Sequence, residues 1–317
     1  MKLVVTICAY NESASIADVL QSIPRGVQGV NDVQIVVVDD GSSDGTADIA
    51  RQSGADVVLV NTKNLGLARS YKRALEHGLL LGADILVHTD ADNQYDQSEI
   101  KKVIDPIING SADMVVGDRQ VKTLDHMPHA KRHGNQIGSF VVGLLTGLKG
   151  IDASSGFRAL SRDAALQLTS FSGHTYTHQT LIEASHKKLH IVSVPIAFNP
   201  RSDGSSRLIG GVFSHIRASI FVIIRALLVY RPLKTFVLMG GLSTGLGVLL
   251  GIRFLYYFFF VSGSGKIQSL ILVAILLVVG VLFFTVGFLG DVIAHNRRLL
   301  DEILYKQKKQ LFKDRDR

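Results

Sequence analysis

The chain has 317 residues, 47% of them hydrophobic and 19% charged, with a formal net charge of +7. This length is sufficient for one sizeable soluble domain with additional elements, and the single cysteine, Cys8, excludes intrachain disulfides and zinc sites built on several thiolates. No basic stripe is interleaved with aromatic residues, and the positive charge gathers around apolar segments and the tail, so we expect an anionic lipid surface as partner and no nucleic acid.

Short β-branched segments alternate with helical patterns along the first part of the chain. The predicted strands are Leu3–Cys8, Gln34–Asp39, Val57–Val60, Ile85–Thr89 and Met114–Gly117, and the predicted helices are Ser15–Ser22, Thr46–Ser53, Gly66–Leu81 and Ser98–Ile108. This alternation predicts an α/β fold with a mostly parallel sheet covered by helices on both faces. Ligands bind such sheets at the carboxyl ends of the strands, so we expect the functional residues directly after them.

Apolar segments dominate the chain from about Phe213 onward. Gln136–Leu148 and Leu208–Tyr230 have basic flanks and are predicted to lie in the membrane interface, with ordinary core helices as the alternative. Phe236–Val261 and Leu270–Ile293 each exceed the ~20 residues that cross a bilayer, so both are predicted transmembrane helices. The chain therefore divides into a globular domain (1–207), an interfacial helix (208–234), a transmembrane hairpin (235–293) and a basic tail (294–317).

The distribution of basic residues predicts the topology of this hairpin. Arg231 and Lys234 lie at the start of the first apolar segment, and Arg297 and Arg298 follow the end of the second. The loop that connects the two segments holds one lysine. The positive-inside rule therefore places the globular domain and both termini in the cytoplasm, and with a strand starting at Leu3 we expect no signal peptide. Glycines at small-xxx-small spacing in the first span favour close helix packing, either against the second span or in a homo-oligomer; they are Gly241, Gly245, Gly247 and Gly251.

Acidic and aromatic residues follow the first two predicted strands. The first strand ends in Ala9-Tyr10-Asn11-Glu12, and the second ends in Val38-Asp39-Asp40-Gly41-Ser42. Carboxylates accept hydrogen bonds from base N–H groups and ribose hydroxyls, and an aromatic ring such as Tyr10 can stack on a base. Because the two turns follow neighbouring strands, they predict a nucleotide site.

The fourth predicted strand ends in Asp90-Ala91-Asp92-Asn93-Gln94. Two carboxylates one residue apart on a loop can both reach one hard cation, and Gln94 adds a carbonyl oxygen. Mg²⁺ and Mn²⁺ prefer such oxygen ligands and usually share them with substrate phosphates. The sequence thus predicts a site for Mg²⁺ or Mn²⁺ that neutralises a leaving diphosphate.

Together these motifs resemble glycosyltransferase family 2. The resemblance is carried by Ala9–Glu12, Val38–Thr46, Asn64-Leu65-Gly66 and Asp90-Ala91-Asp92. Further along, two segments resemble the dolichol-phosphate mannose synthase branch, namely Asp152–Arg158 and the stretch from Asn199-Pro200-Arg201 through Ser206-Arg207-Leu208. The resemblance runs from residue 3 to about residue 208, and two C-terminal spans also occur in that branch. The resemblance implies a Rossmann-like GT-A fold and a metal-dependent, inverting transfer of a hexose to polyprenyl or dolichyl phosphate. The implied donor is GDP-mannose, UDP-glucose or UDP-N-acetylglucosamine.

The resemblance also implies a role for each matching residue. The nucleotide-binding positions are Cys8, Tyr10, Glu12, Asp39, Asp40 and Asn64. The metal positions are Asp90, Asp92 and Gln94, and the acceptor-phosphate positions are Arg119, Arg132, Ser155, Arg201 and Arg207. Asp90, Asp92, Arg119 and Arg201 are implied as catalytic residues. The chain departs from the family at Cys8, which replaces a common proline, at Gln179, which stands for a glutamate, and at Gly156, where some members carry an aspartate.

The physical chemistry of a phosphate acceptor agrees with this pattern. A phosphomonoester carries about −1.5 to −2 charges at pH 7 and needs no general base, only cations that hold it against an anionic donor. A sugar-hydroxyl acceptor would instead need a well-placed carboxylate. Two alternatives stay open: a polysaccharide synthase, whose Gln-x-x-Arg-Trp motif is missing since the chain has no tryptophan, and a non-enzymatic lipid-linked sugar translocator or nucleotide-sugar sensor.

Overall fold

In the computed structural model, the described residues are 1–121, 129–148, 150–169, 176–200, 228, 232–261 and 267–313. The chain forms two compact units. One, the sheet unit, comprises Met1–Ser219 together with Ile303–Arg317, and the other, the hairpin unit, comprises Ile220–Glu302. The predicted interfacial helix Leu208–Tyr230 lies outside the described residues apart from Leu228.

The sheet unit is built on a single sheet of seven strands within the described ranges. These are β1 Lys2–Ala9, β2 Asp32–Asp39, β3 Val57–Val60, β4 Ile85–Asp90, β5 Met114–Asp118, β6 Arg158–Ser161 and β7 Ile191–Pro195. Their spatial order is β3-β2-β1-β4-β6-β5-β7. Strand β6 pairs antiparallel with β4 and β5, whereas the other strand pairs are parallel. This confirms the predicted α/β class with a mostly parallel sheet.

Helices of this unit connect the strands. They are α1 Ile16–Ser22, α2 Thr46–Gln52, α3 Leu67–Leu80, α4 Ile100–Ile108, α5 His129–Thr146, α6 Arg162–Gln167 and α7 Tyr176–His186. Every strand and helix predicted up to Gly117 is present, although the predicted helix start at Ser98 lies in a 3-10 turn, Gln97–Glu99, that precedes α4. The sequence reading did not predict β6, α6, α7 and β7.

The core lies on both faces of the central strands. Successive residues of β1 (Leu3, Val4 and Val5) are fully buried although their side chains point to opposite faces. This requires helices on both sides of the sheet and explains why the strands read as continuous apolar segments. Helix α4 contributes Val103 and Ile104, which are also fully buried, to the face that includes Leu3 and Val5. The rigid sheet fixes where each strand ends, and thereby where the candidate site forms.

Helix α5 begins at His129, earlier than the predicted Gln136. Val142 and Leu145 are buried, while Phe140 and Leu144 expose 72% and 61% of their surface. The helix packs on α7, where Ser185 Oγ donates to the Thr146 carbonyl over 3.3 Å. One face therefore belongs to the core of the unit, as in the alternative of an ordinary core helix, and another presents apolar side chains outward. Its position in the membrane interface stays a prediction.

The hairpin unit contains two long apolar helices, α8 Pro232–Phe260 and most of α9 Ile267–Lys313, and both are long and apolar enough to cross a membrane. An added Cβ at Gly247 would lie 3.1 Å from Leu277 Cδ2, so this glycine packs against the second helix. Gly251 likewise faces Val273 at 3.5 Å, whereas positions 241 and 245 have no atom within 4 Å. The two glycine pairs predicted from spacing therefore have different surroundings, and the pair Gly247 and Gly251 serves packing within the hairpin.

The last turns of α9 belong to the sheet unit. Tyr305 Oη donates to Asp163 Oδ1 over 2.5 Å, and Lys309 Nζ lies 3.7 Å from the same oxygen. Lys308 Nζ donates to the carbonyl of Leu168 over 3.3 Å, and Phe312 is buried. The basic tail is thus helical up to Lys313 and docked on the unit that carries the sheet.

Candidate active site

The register of the sheet brings the predicted motifs to one edge. Ala9 of β1 pairs with Asp39 of β2, and Cys8 pairs with Asp90 of β4 on the other side. The carboxyl ends of the three central strands are therefore level with one another. This agrees with the expectation that polar residues following the strands share a pocket.

Two loops at this edge are locked together by hydrogen bonds. Asn11 N donates to Ser42 Oγ over 2.8 Å, and Asn11 Oδ1 accepts from Ser43 N over 2.9 Å. Glu12 N donates to Thr46 Oγ1 over 3.0 Å. Asn11 has a φ of 54°, in the left-handed region that asparagine tolerates better than most residues. These bonds hold the turn that presents Tyr10, whose side chain is 41% exposed and accessible to a base.

The two neighbouring aspartates have different surroundings. The Asp40 carboxylate accepts from Asn61 Nδ2 at 2.7 Å and from the backbone N–H groups of Leu65 and Gly66, both at 2.9 Å. It is buried and organises the loop that contains the exposed Asn64. Asp39 Oδ2 accepts from Ser42 N over 3.2 Å, while its buried Oδ1 has no hydrogen-bond partner within the described part of the chain. Asp39 therefore keeps an unused acceptor, whereas Asp40 acts on this site through the loop it anchors.

Cys8 lies between these turns and the next strand. Its side chain is buried, and burial together with the charges of Asp90 and Asp40 raises the pKa of the thiol. The thiol therefore stays protonated and provides an apolar surface at the base of the site. A nucleotide contact of Cys8, where the family commonly has proline, stays a prediction.

Asp90 and Asp92 form the acidic centre of the site. Burial, and next the charge of Asp92, raise the pKa of Asp90 to about 7, against the opposing effect of Arg119 and Arg158. The Asp90 side chain is still 35% exposed and open to a ligand. Two carboxylates that disfavour each other's charge fit a divalent cation, because the cation relieves the repulsion. No group of three or more His, Cys, Asp or Glu ligands occurs in the described ranges, so the remaining ligands would be phosphates and water, as Mg²⁺ prefers.

Gln94 connects this acidic loop to a distant segment. Its N–H donates to Asp92 Oδ1 over 3.3 Å, and its Nε2 donates to the Asn199 carbonyl over 3.3 Å. Asn199 N in turn donates to the Gln94 carbonyl over 2.8 Å. The predicted acceptor residues Arg201 and Arg207 follow that segment but lie outside the described residues, so their phosphate contacts stay predictions.

Arg119 is engaged by a carboxylate that the sequence reading gave no role. Its Nε donates to Asp152 Oδ2 over 2.7 Å, and its Nη2 donates to Asp152 Oδ1 over 2.9 Å and to Ser154 Oγ over 2.6 Å. Both partners are buried, and the guanidinium also lies 5.2 Å from the ring centroid of Phe198. Two of its three nitrogens are therefore committed to the protein, which leaves Nη1 for a substrate phosphate. Arg132 lies in the first turns of α5 and is partly buried.

The loop before β6 lies beside the acidic centre of the site. Ser155 in this loop is fully buried and its hydroxyl has no partner among the described residues, so its contact with an acceptor phosphate stays a prediction. Gly156, by contrast, lies directly against the acidic centre, because a Cβ at this position would be 2.7 Å from both carboxylate oxygens of Asp90. Its N–H donates to Tyr95 Oη over 2.9 Å. A charged pair around small residues, Asp152 to Arg158, was the signal that could have indicated this loop.

Comparison with known proteins gives consistent matches. Residues 4–169 match the family model described as glycosyl transferase family 2. The UDP-N-acetylglucosamine–dolichyl-phosphate N-acetylglucosaminyltransferase of Methanococcus voltae is 35% identical over 210 residues, covering 59% of this chain and 82% of the relative. The dolichol-phosphate mannosyltransferase of Pyrococcus furiosus is 32% identical over 228 residues, covering 68% and 62%.

A solved structure supports the fold. Glucosyl-3-phosphoglycerate synthase from Mycobacterium tuberculosis, crystallised with Mn²⁺, UDP and glucosyl-3-phosphoglycerate, superposes with a TM-score of 0.53 at 22% identity. The match covers 72% of this chain and 78% of that protein. The GT-A fold expected from the sequence is thereby confirmed for the sheet unit.

Proposed function

The chain belongs to glycosyl transferase family 2 and is a glycosyltransferase, and from this premise we propose that it transfers a hexose from a nucleotide sugar to a polyprenyl or dolichyl phosphate. The relatives from Methanococcus voltae and Pyrococcus furiosus are named for dolichyl-phosphate acceptors but for different sugars. Their names support the class of acceptor and leave GDP-mannose, UDP-glucose and UDP-N-acetylglucosamine as donors to be tested.

The single observation that carries the choice of acceptor is the pairing of Asp152 with Arg119. A hydroxyl acceptor needs a carboxylate that takes its proton, and Asp152 is a further carboxylate of the described site whose two oxygens both accept from Arg119. Burial alone would raise the pKa of Asp152, but the hydrogen bonds and charge of Arg119 lower it. A carboxylate with a lowered pKa and both oxygens bound is a poor base. A phosphate acceptor needs no such base, because it is already an anionic nucleophile.

Each group of residues has its own role in the proposed reaction. Tyr10 stacks on the base and the unused Oδ1 of Asp39 accepts a base N–H. Asp90 and Asp92, with Gln94, would hold Mg²⁺ or Mn²⁺, which neutralises the diphosphate when bound. The nucleoside diphosphate leaves as the acceptor phosphate oxygen forms the new bond to the anomeric carbon from the opposite face, so the configuration inverts and no proton has to move.

Cations position the acceptor phosphate in this proposal. Arg119 offers Nη1, and Arg132, Arg201 and Arg207 supply further donors. Fork-shaped guanidinium groups bind phosphate oxygens in pairs and set the direction of attack. Phe140 and Leu144 on the exposed apolar face of α5 lie in the membrane interface, where the lipid phosphate is found.

We also propose that the sheet unit and both termini face the cytoplasm. The charge distribution around the two apolar helices supports this orientation. The contacts of Tyr305, Lys308 and Lys309 with the sheet unit support it as well, because they require the C-terminal tail and that unit to share one side of the membrane.

The test is a transfer assay on the full-length chain in vesicles. Each radiolabelled nucleotide sugar is supplied with Mn²⁺ and either a polyprenyl phosphate or the corresponding polyprenol. The expected result is labelled lipid with the phosphate and none with the alcohol, for one of the donors. Transfer to the alcohol or to added saccharides would refute the phosphate acceptor, and Asp92→Ala serves as the inactive control.

The acceptor arginines have their own expected result. Arg132→Ala and Arg201→Ala each remove a charge-assisted hydrogen bond to the phosphate, which is typically worth ~1.5–3 kcal/mol. We expect the KM for the lipid to rise, or kcat to fall, by about 10- to 100-fold, with donor affinity unchanged and only partial rescue by lysine. Arg25→Ala, which breaks an exposed 2.6 Å ion pair with Asp56, is the matched control. Weaker membrane binding with unchanged kinetics would show that the arginines only anchor the protein.

A further inference from the structure

Arg158 is a buried arginine without a carboxylate partner in the described part of the chain. It is the first residue of β6 and only 1% exposed. Its guanidinium makes four hydrogen bonds: Nε to the Ser155 carbonyl at 2.9 Å, Nη2 to the Ala153 carbonyl at 2.9 Å, and Nη1 to the Thr177 carbonyl at 2.7 Å and to Thr180 Oγ1 at 2.8 Å. A cation removed from water and held by neutral acceptors is unfavourable for stability, so its position calls for a functional explanation.

These hydrogen bonds connect two parts of the sheet unit. Ala153 and Ser155 belong to the loop that precedes β6, whereas Thr177 and Thr180 belong to α7. The guanidinium therefore fixes the loop against the helix from the inside. The planar fork is suited to this because its donors point in several fixed directions at once.

The fixed loop carries two contacts to the active site. Asp152 at its beginning holds Arg119, and Gly156 at its end lies against the Asp90 carboxylate, which a Cβ there would approach to 2.7 Å. Arg158 binds this loop through the carbonyls of Ala153 and Ser155. Both residues lie between Asp152 and Gly156 in the sequence. A displacement of the loop would therefore change the orientation of Asp90 and the position of Arg119 together.

We propose that Arg158 is a positioning residue, which holds the loop 152–156 so that the backbone at Gly156 orients Asp90 for binding the divalent cation. It acts through other residues and touches no substrate. The proposal rests on the proposed function, because it assumes a cation at Asp90 and Asp92. A purely structural role would be limited to holding α7 in place.

The experiment measures binding of Mn²⁺ to the full-length protein in detergent from the paramagnetic spectrum of free Mn²⁺, with and without UDP and GDP. Residues that orient metal ligands typically change affinity by about 10- to 100-fold. We expect Arg158→Lys and Arg158→Met to weaken Mn²⁺ binding by about tenfold and to lower kcat. The KM for the lipid phosphate should rise as well, because the same loop holds Arg119 through Asp152. Arg162→Lys, at the first residue of α6 directly after β6, with Nη1 on the Ala83 carbonyl, is the matched control and should bind Mn²⁺ normally.

A second pair of variants keeps the test decisive if the Arg158 variants do not fold. Thr180→Val removes one acceptor of Arg158 at constant shape, whereas Thr180→Ser keeps the hydroxyl. We expect Thr180→Val to weaken Mn²⁺ binding by about threefold, as for the loss of one hydrogen bond, and Thr180→Ser to match the wild type.

The possible outcomes distinguish the positioning role of Arg158 from the proposed function. Normal Mn²⁺ affinity in Thr180→Val, or in folded Arg158→Lys, would overturn the positioning role while the proposed function stands. A wild-type protein that transfers sugar but binds no Mn²⁺ would overturn the metal site and the positioning role together. Weakened Mn²⁺ binding in Arg158→Lys with an unchanged thermal unfolding midpoint supports the proposal, because a structural role alone would lower the midpoint first.

Discussion

The contact between Gly156 and Asp90 gives a quantitative prediction for Gly156→Ala. The new Cβ would lie 2.7 Å from both carboxylate oxygens, whereas ordinary contact begins at 3.4 Å, so the carboxylate or the loop must move by about 0.7 Å. Gly156 is not among the residues with positive φ, so alanine meets no backbone strain. A misplacement of this size at a catalytic group can reduce the rate by about 100-fold, and overpacking typically costs ~1–3 kcal/mol of stability.

We therefore expect Gly156→Ala to reduce Mn²⁺ affinity and kcat by about 10- to 100-fold while the protein still folds. Gly78→Ala in α3 is the matched control, because a Cβ there would lie 2.6 Å from Leu86 Cδ2 of β4, an equally close contact with an apolar neighbour. It should lower the thermal unfolding midpoint without changing Mn²⁺ affinity. The reasoning is refuted if Gly156→Ala behaves like Gly78→Ala, with reduced stability but wild-type Mn²⁺ affinity and kcat.

Four further outcomes are expected. Asp92→Ala should abolish transfer and keep the unfolding midpoint, since it removes a ligand at an open site; full activity with added Mn²⁺ would contradict the metal assignment. Asp40→Ala should lower the free energy of unfolding by at least ~1–3 kcal/mol and weaken nucleotide binding in calorimetry, because three donors lose their acceptor. Unchanged nucleotide affinity would show that the loop keeps its conformation without Asp40. Burial and Asp92 raise the pKa of Asp90 to about 7, so the metal-free protein should lose stability as the pH rises through that value. In unfolding scans with chelator, Asp90→Asn should not show the loss of stability that is due to ionisation of Asp90. A C-terminal tag should resist protease added outside intact cells, and its cleavage would refute the cytoplasmic tail.

The donor side of the site could be predicted from the sequence because it depends on local patterns. β1, β2 and β4 are rich in β-branched and other apolar residues, and the polar motifs start where each strand ends. Parallel strands bring such ends to one edge, so Tyr10, Asp39 and Asp90 could be expected together without knowledge of the register. The difference between Asp39 and Asp40 could not be predicted, because it depends on which carboxylate the backbone of Leu65 and Gly66 reaches.

The acceptor side was less predictable because it depends on contacts between distant residues. Strand β6 has four residues and begins with an arginine, so neither length nor alternation indicates a strand. Arginine is mostly exposed in proteins, and Arg158 gives no local sign of its burial. The motif around Ser155 likewise gives no sign that this serine is fully buried.

Helix α9 is longer than the hydropathy pattern predicts. Hydropathy predicts where an apolar segment ends, which is Ile293 for the second span. A helix ends only where its backbone pattern is broken, and no proline or glycine lies between Asp291 and Lys313. The helix therefore continues into the charged tail, which the hydropathy pattern alone could not indicate.

The reversed direction of β6 has a consequence for how such enzymes diversify. The chain leaves the sheet after β5 and returns at β6, and because these strands are antiparallel it leaves and returns at the same edge. The excursion between Arg119 and Phe157 can therefore be lengthened, shortened or replaced without shifting the register of β1, β2 and β4. Evolution can therefore exchange the part proposed to bind the acceptor while the part proposed to bind the donor is inherited unchanged, so one ancestral sheet can give rise to transferases with new acceptors.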